Sequence, residues 1–148
     1  MAKVLTGDGW RLELPDGLVA KPHKAWDYDS GAIARGWIGD APVTVIVQTK
    51  QLRGGFNDWV RQVASHWLEQ EPLRRLAVPG ASDAVRIDGY VEFDGLGAVD
   101  DREQCIAVCA KSRRRAVALT IRSRPEDAVQ AELEPIVDSF ELVRPAGG

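Results

Sequence analysis

The sequence predicts an α+β domain: an antiparallel β-sheet flanked by helices. Three observations carry that reading. Most of the chain is cut into short segments in which apolar and polar residues alternate with period two, two segments switch to the i, i+3, i+4, i+7 spacing of a helix, and successive strands are joined by links of hairpin length. Runs of strands interrupted by single helices, without the long crossovers that parallel pairing requires, give an antiparallel sheet with helices packed on it.

Trp10-Arg11-Leu12-Glu13-Leu14 is the first alternating segment, and Pro15-Asp16-Gly17 ends it with a turn in which Pro presets φ and Gly accepts a positive φ. Residues 18–24 fit neither period, and Pro22 keeps them out of a central strand. Residues 25–39 carry Trp26, Tyr28, Ile33, Trp37 and Ile38 around Asp29-Ser30-Gly31 and read as one long bent strand or a hairpin. Residues 43–50 form a strand with Val43, Val45 and Val47 on one face and Thr44, Ile46 and Gln48 on the other. Phe56, Trp59, Val60, Val63, Trp67 and Leu68 then make one helical stripe, which predicts a helix over 57–70 with Asn57 or Asp58 as N-cap and Pro72 as terminator. Residues 73–83 are a connection containing Pro79-Gly80. Val85, Ile87, Gly89, Val91 and Phe93 alternate with Arg86, Asp88, Tyr90 and Glu92, which is a strand with one buried and one polar face. Residues 104–111 and 115–122 are two further strands joined by a tight turn at Ser112-Arg113-Arg114. After Pro125, Val129, Leu133, Ile136 and Phe140 restore helical spacing, with Glu126 and Asp127 at the positive end of the helix dipole and Pro135 expected to break the helix. Residues 1–148 read as one domain, with its core over about 10–143 and a frayed tail at 144–148.

Composition agrees with this shape and narrows the function. A chain of 148 residues, 45% hydrophobic, removes roughly 70% of its unfolded surface from water on folding, so neither a disulfide framework nor a structural metal is needed. The formal net charge of -3 is spread along the chain and supplies no field that attracts nucleic acid or an anionic membrane. No stretch approaches the ~18 apolar residues of a membrane-spanning helix, and the opening residues 1–9 hold no apolar run of a secretory signal, which points to the cytoplasm.

Cys105 and Cys109 stand in an apolar, β-branched run. In a strand their spacing corresponds to about 13 Å along one face, beyond the ~7 Å between bridged Cα atoms, so both are expected as reduced, buried core residues. His23 and His66 have no neighbour that marks a catalytic partner. The acidic stretch 94–103 lacks the ligand order of a Ca²⁺ loop, and Gly95-Leu96-Gly97 opens no helix, as a dinucleotide-binding turn must. No catalytic residue, metal ligand or cofactor is expected. Arg74-Arg75 and Arg113-Arg114-Arg115, without interleaved aromatics, read as a helix exit and a turn. Of the five tryptophans, Trp59 and Trp67 belong to the helix stripe. Trp10, Trp26 and Trp37, with Tyr28, lie on or near strand ends, where a partly exposed aromatic cluster makes a recognition patch and core filling is the competing reading. The polar face Arg86, Asp88, Tyr90, Glu92 is a second candidate surface, open if no helix covers it.

Leu12-Glu13-Leu14-Pro15-Asp16-Gly17, the helix from Phe56, the passage from Leu76 to Arg86 through Pro79-Gly80-Ala81-Ser82-Asp83, and the ending Ile136-Val137-Asp138-Ser139-Phe140 together resemble the PsbP/Mog-like family, and within it the actinobacterial LpqN-like branch. The likeness spans residues 10–143. Leu18 stands where many members carry Trp, and the lipidated Cys of the lipoproteins has no counterpart. The resemblance implies an α/β/α sandwich without enzyme chemistry. It also implies a protein-binding role, since relatives include an extrinsic photosystem subunit, a nuclear Ran-binding factor and chaperones of secreted effectors. The family shares no catalytic residues, so none is carried over.

These readings converge on a non-enzymatic interaction module that binds a protein or peptide, with an adaptor or chaperone role for an exported partner; a homodimer through a sheet edge or a Trp patch is a further option. The alternative class is a small-ligand or lipid carrier with a pocket between helix 57–70 and the sheet. An enzyme would need His23 or His66 in a cleft beside a carboxylate or hydroxyl.

Overall fold

The structure, a computed structural model, describes residues 3–92, 102–124 and 130–144. Among them the elements follow in the order β1 (Lys3–Gly7), β2 (Trp10–Leu14), β3 (Leu18–Pro22), β4 (Ser30–Ile38), β5 (Ala41–Gln51), α1 (Phe56–Val63), β6 (Glu69–Gln70), β7 (Arg74–Arg75), β8 (Asp83–Glu92), β9 (Arg102–Ser112), β10 (Arg115–Ser123), α2 (Gln130–Ser139) and β11 (Glu141–Leu142). An eight-stranded sheet runs β3-β4-β5-β10-β9-β8-β6, with β7 also on β8, and β1-β2-β11 form a separate three-stranded sheet. Every pairing is antiparallel.

Strand alternation sorts the side chains of the large sheet onto two faces. On one face Val45, Val47, Ile106, Val108, Val117 and Leu119 meet Trp10, Leu12 and Leu14 of β2 and Leu133, Ile136 and Phe140 of the α2 segment. On the other, Val85, Ile87, Ala107, Cys109, Ala116 and Ala118 meet Phe56, Trp59, Val60 and Ala64 of the α1 segment. β9 lies between the two cores, and residues 105–110 are buried whichever way they point. That is why this segment reads as a near-continuous apolar run. The fold is α+β and layered as expected, with one outer layer made of α2 together with the small three-stranded sheet.

Several local expectations are corrected. The helix predicted over 57–70 begins at Phe56, takes Gly55 as its N-cap and stops at Val63. The apolar spacing continues to Trp67 and Leu68, but Leu68 N–H donates to the Tyr90 carbonyl at 2.9 Å and β6 then pairs with β8, so edge hydrogen bonds to the sheet outweigh further helix. His66 therefore lies beyond the helix. The connection at 73–83 contains β7, whose Arg74 and Arg75 reach Asp88 and Asp83 at 2.9 and 3.0 Å. Of residues 25–39 only the part from Ser30 is strand, because Tyr28 N–H closes a turn onto the Ala25 carbonyl. Pro135 lies inside α2 without breaking it. Both Pro135 and Ala131, the residue whose carbonyl loses its partner, are exposed, on the side of α2 where such a group can be hydrated. β3 ends at Pro22 and is a margin of the sheet, where a missing N–H is tolerated. The β2–β3 turn holds Gly17 at φ 100°, as the Pro-Asp-Gly signal requires. Calls on 93, 94–101, 125–129 and 145–148 lie outside the described residues.

Cys105 and Cys109 are free and buried. Burial pushes both thiols up to about 12. The expected outcome is that neither reacts measurably with a thiol reagent at pH 8 in the native protein and that both react after denaturation; rapid native labelling at either position contradicts this packing.

No described helix is long and apolar enough to cross a membrane.

Candidate functional site

The candidate residues separate into core, clamp and surface. Trp10 is core: it is 1% exposed, and its indole lies over Gly7, where a Cβ would come within 2.3 Å of the ring. The recognition-patch reading is corrected at this position, because β2 turns Trp10 inward between the two sheets. Trp26 and Trp37 are 93% and 57% exposed. They stand at opposite ends of β4, Trp26 before its first residue and Trp37 near its last, so the tryptophans form no single cluster. Tyr28 is half-buried beside the α1 core, with Lys50 Nζ 5.4 Å from its ring centroid, and burial raises the pKa of its hydroxyl.

The polar face of β8 is corrected at Arg86. Glu134 of α2 reaches over that end of the face, and Arg86 is 8% exposed. Arg86 Nη1 and Nη2 donate to the Glu134 carboxylate at 2.7 and 2.6 Å, and its Nε donates to Asp88 Oδ2 at 3.1 Å. The Glu134 hydrogen bonds raise the Arg86 pKa and lower that of Glu134. Burial pushes Asp88 up, but hydrogen bonds from Arg86 and Arg74 outweigh it and leave its pKa lowered. These three residues are a clamp that docks α2 onto β8. Tyr90 is half-buried under the Arg102 guanidinium, 4.6 Å from its centroid, and Glu92 is exposed.

The surface that stays open is elsewhere on the large sheet. Register places Val19 opposite Arg35 and Ile33 opposite Ile46 and Lys21, so Val19, Lys21, Ile33, Arg35, Trp37 and Ile46 share the face that carries α1. The α1 core, however, draws its sheet residues only from β8, β9 and β10. On the β3–β4–β5 half Ile33 is buried at 3%, whereas Val19 is 74% and Trp37 57% exposed. Val19 and Trp37 are diagonal neighbours, about 7–8 Å apart by register, with the exposed Arg35 directly opposite Val19. One apolar side chain of a ligand can touch both while an acidic group meets Arg35 or Lys21. Sequence reasoning singled out Trp37 but not Val19, which sits in the segment that fitted neither period.

The space between α1 and the sheet is packed core, so the carrier pocket expected there is filled by Phe56, Trp59 and Val60. His66 is exposed and His23 half-buried, and neither ring hydrogen-bonds another side chain among the described residues. No group of three or more potential metal ligands occurs among the described residues.

No family model matches the chain, and no curated protein matches it. Solved structures do. The solution structure of cyanobacterial PsbP (CyanoP) from Synechocystis superposes with a TM-score of 0.62 at 15% identity, covering 96% of this chain and 91% of that one. The crystal structure of PA94, a protein of unknown function from Pseudomonas aeruginosa, gives 0.58 at 16% identity over 98% and 99%. The likeness spans nearly the full length of all three chains. The fold is therefore PsbP-like.

Proposed function

We propose that this chain is a non-enzymatic interaction module of the LpqN-like branch, which binds a protein or peptide through the open Val19–Arg35–Trp37 strip and acts as an adaptor or chaperone for an exported partner. The observation that carries the reading is the exposure of Val19 and Trp37 side by side on the large sheet, whose other large apolar side chains are buried or half-buried. Tryptophan in such a setting supplies large contact area and an N–H donor at small entropic cost, and dominates many interfaces. Lys21 and Arg35 beside it favour a ligand segment with an apolar anchor flanked by acids. The non-enzymatic part of the proposal is supported by thiols that burial keeps protonated and by histidine rings that hydrogen-bond no other side chain among the described residues.

Affinity capture from the native host tests this with the wild type and a Val19→Ser/Trp37→Ser variant. The wild type retains a discrete partner, and the variant, which folds with an unchanged denaturation midpoint, loses about 2 kcal/mol of binding, roughly thirtyfold in Kd. Equal retention by both proteins, or no partner for either, overturns the proposal.

A further inference from the structure

At the end of β4 and β5 remote from Trp37 lies a cleft of about 780 Å³, where the β1–β2 turn, the end of β5, the β9–β10 turn and the chain after β11 converge. Its walls are tied together by Val143 N–H donating to the Gly9 carbonyl at 2.9 Å and Leu52 N–H donating to the Arg114 carbonyl at 2.6 Å. Lys50, Arg113, Arg114, Arg115 and Arg144 line it, against the carboxylates of Asp8 and Asp29. Arg115 is paired with Asp8, and Asp29 Oδ2 accepts the Gln51 N–H at 3.1 Å. Lys50, Arg113, Arg114 and Arg144 are left with no carboxylate partner among the described residues, on a chain whose net charge is -3.

Two further observations mark the cleft. Thr49 lines it, is 2% exposed, and its Oγ1 has no hydrogen-bond partner. A buried hydroxyl without a partner is an exception that a ligand oxygen would remove. Arg113, the first of the two residues turning β9 into β10, has φ 56°, a left-handed conformation that hairpins ordinarily give to Gly or Asn. A guanidinium occupies a place where glycine would be relaxed.

We propose that this cleft binds a phosphorylated small molecule, with Arg113, Arg114 and Arg144 donating to phosphate oxygens and Thr49 Oγ1 completing the floor, while Lys50, held over the Tyr28 ring on the other face of the sheet, adds only its charge. Guanidinium forks match phosphate oxygens in bidentate pairs. Three unpaired guanidiniums exceed what a single carboxylate neutralises and suit a multiply charged group. The volume lies in the range of small-molecule sites. The site stands apart from the Val19–Trp37 strip and holds or fails independently of it.

Inorganic pyrophosphate, titrated by calorimetry at constant ionic strength against a sodium chloride control, is the probe. Saturable binding is expected. It weakens roughly tenfold or more in Arg113→Gln/Arg114→Gln, where exposed side chains change without altering the core. Thr49→Val weakens it several-fold while the ligand-free Tm holds or rises, because the change removes an unpaired buried hydroxyl and keeps the shape. Absence of saturable binding, wild-type affinity in these variants, or citrate binding as tightly as pyrophosphate overturns the assignment.

Discussion

Trp10→Ala lowers the unfolding free energy by about 3–5 kcal/mol, the usual range for deleting a fully buried aromatic side chain. The size of the effect follows from where Trp10 sits. It is 1% exposed and packs in the core with Leu12, Phe140 and Leu142, joining the small sheet to the large one. Gly7 leaves room for the indole on the neighbouring strand, so the ring is held on both sides. Urea denaturation checks it: the midpoint falls sharply while the m-value holds, whereas Trp37→Ser changes stability by no more than about 0.5 kcal/mol. A stable Trp10→Ala variant contradicts the burial of β2 against the large sheet.

Arg86→Ala has the next largest effect. Removing one partner of a buried ion pair costs about 3–5 kcal/mol, and an exposed pair contributes about 0–1. Arg86 is nearly buried while the Glu134 side chain is 46% exposed, so a loss of roughly 2–3 kcal/mol is expected. The pH dependence carries the sign. Glu134 and Asp88 have pKa values lowered in the folded protein. Their contribution is therefore complete above the unfolded carboxylate values of about 4 and is lost as pH falls through the lower folded values. Wild-type stability declines on acidification below about pH 4–5, and Arg86→Ala flattens part of that decline, because the donors that lower Glu134 are gone while Arg74 still holds Asp88. Parallel stability profiles for the two proteins contradict the clamp.

How much of this was legible in the chain depends on the range of the interaction that decides each feature. β5, β8, β9 and β10 are long enough to read as strands, and the run from Cys105 to Ala110 was legible as a buried strand, though its burial on both faces came only with the structure. β6, β7 and β11 are two residues long, which carries no period at all. They exist because β8 and β2 offer open edges. α1 ends early for the same reason. Trp10 and Trp37 are the same residue type on similar strands, and what separates them is whether another layer lies opposite, a fact set by β2 folding inward and α1 stopping over β8–β10. Arg86 and Glu134 are 48 positions apart, and nothing local relates them. The cleft is still less local: its lining comes from six parts of the chain, and Arg113-Arg114-Arg115 reads as an ordinary turn until Thr49 and Arg144 are seen beside it.

The open strip is tested most directly by placing a photo-crosslinking amino acid at Trp37 in the native host, with the same residue at Arg61, which is 79% exposed on α1, as control. A discrete protein adduct from position 37 and none from position 61 is the expected result. Identical adducts from both positions, or none from position 37, contradict a partner seated on the β3–β4–β5 face.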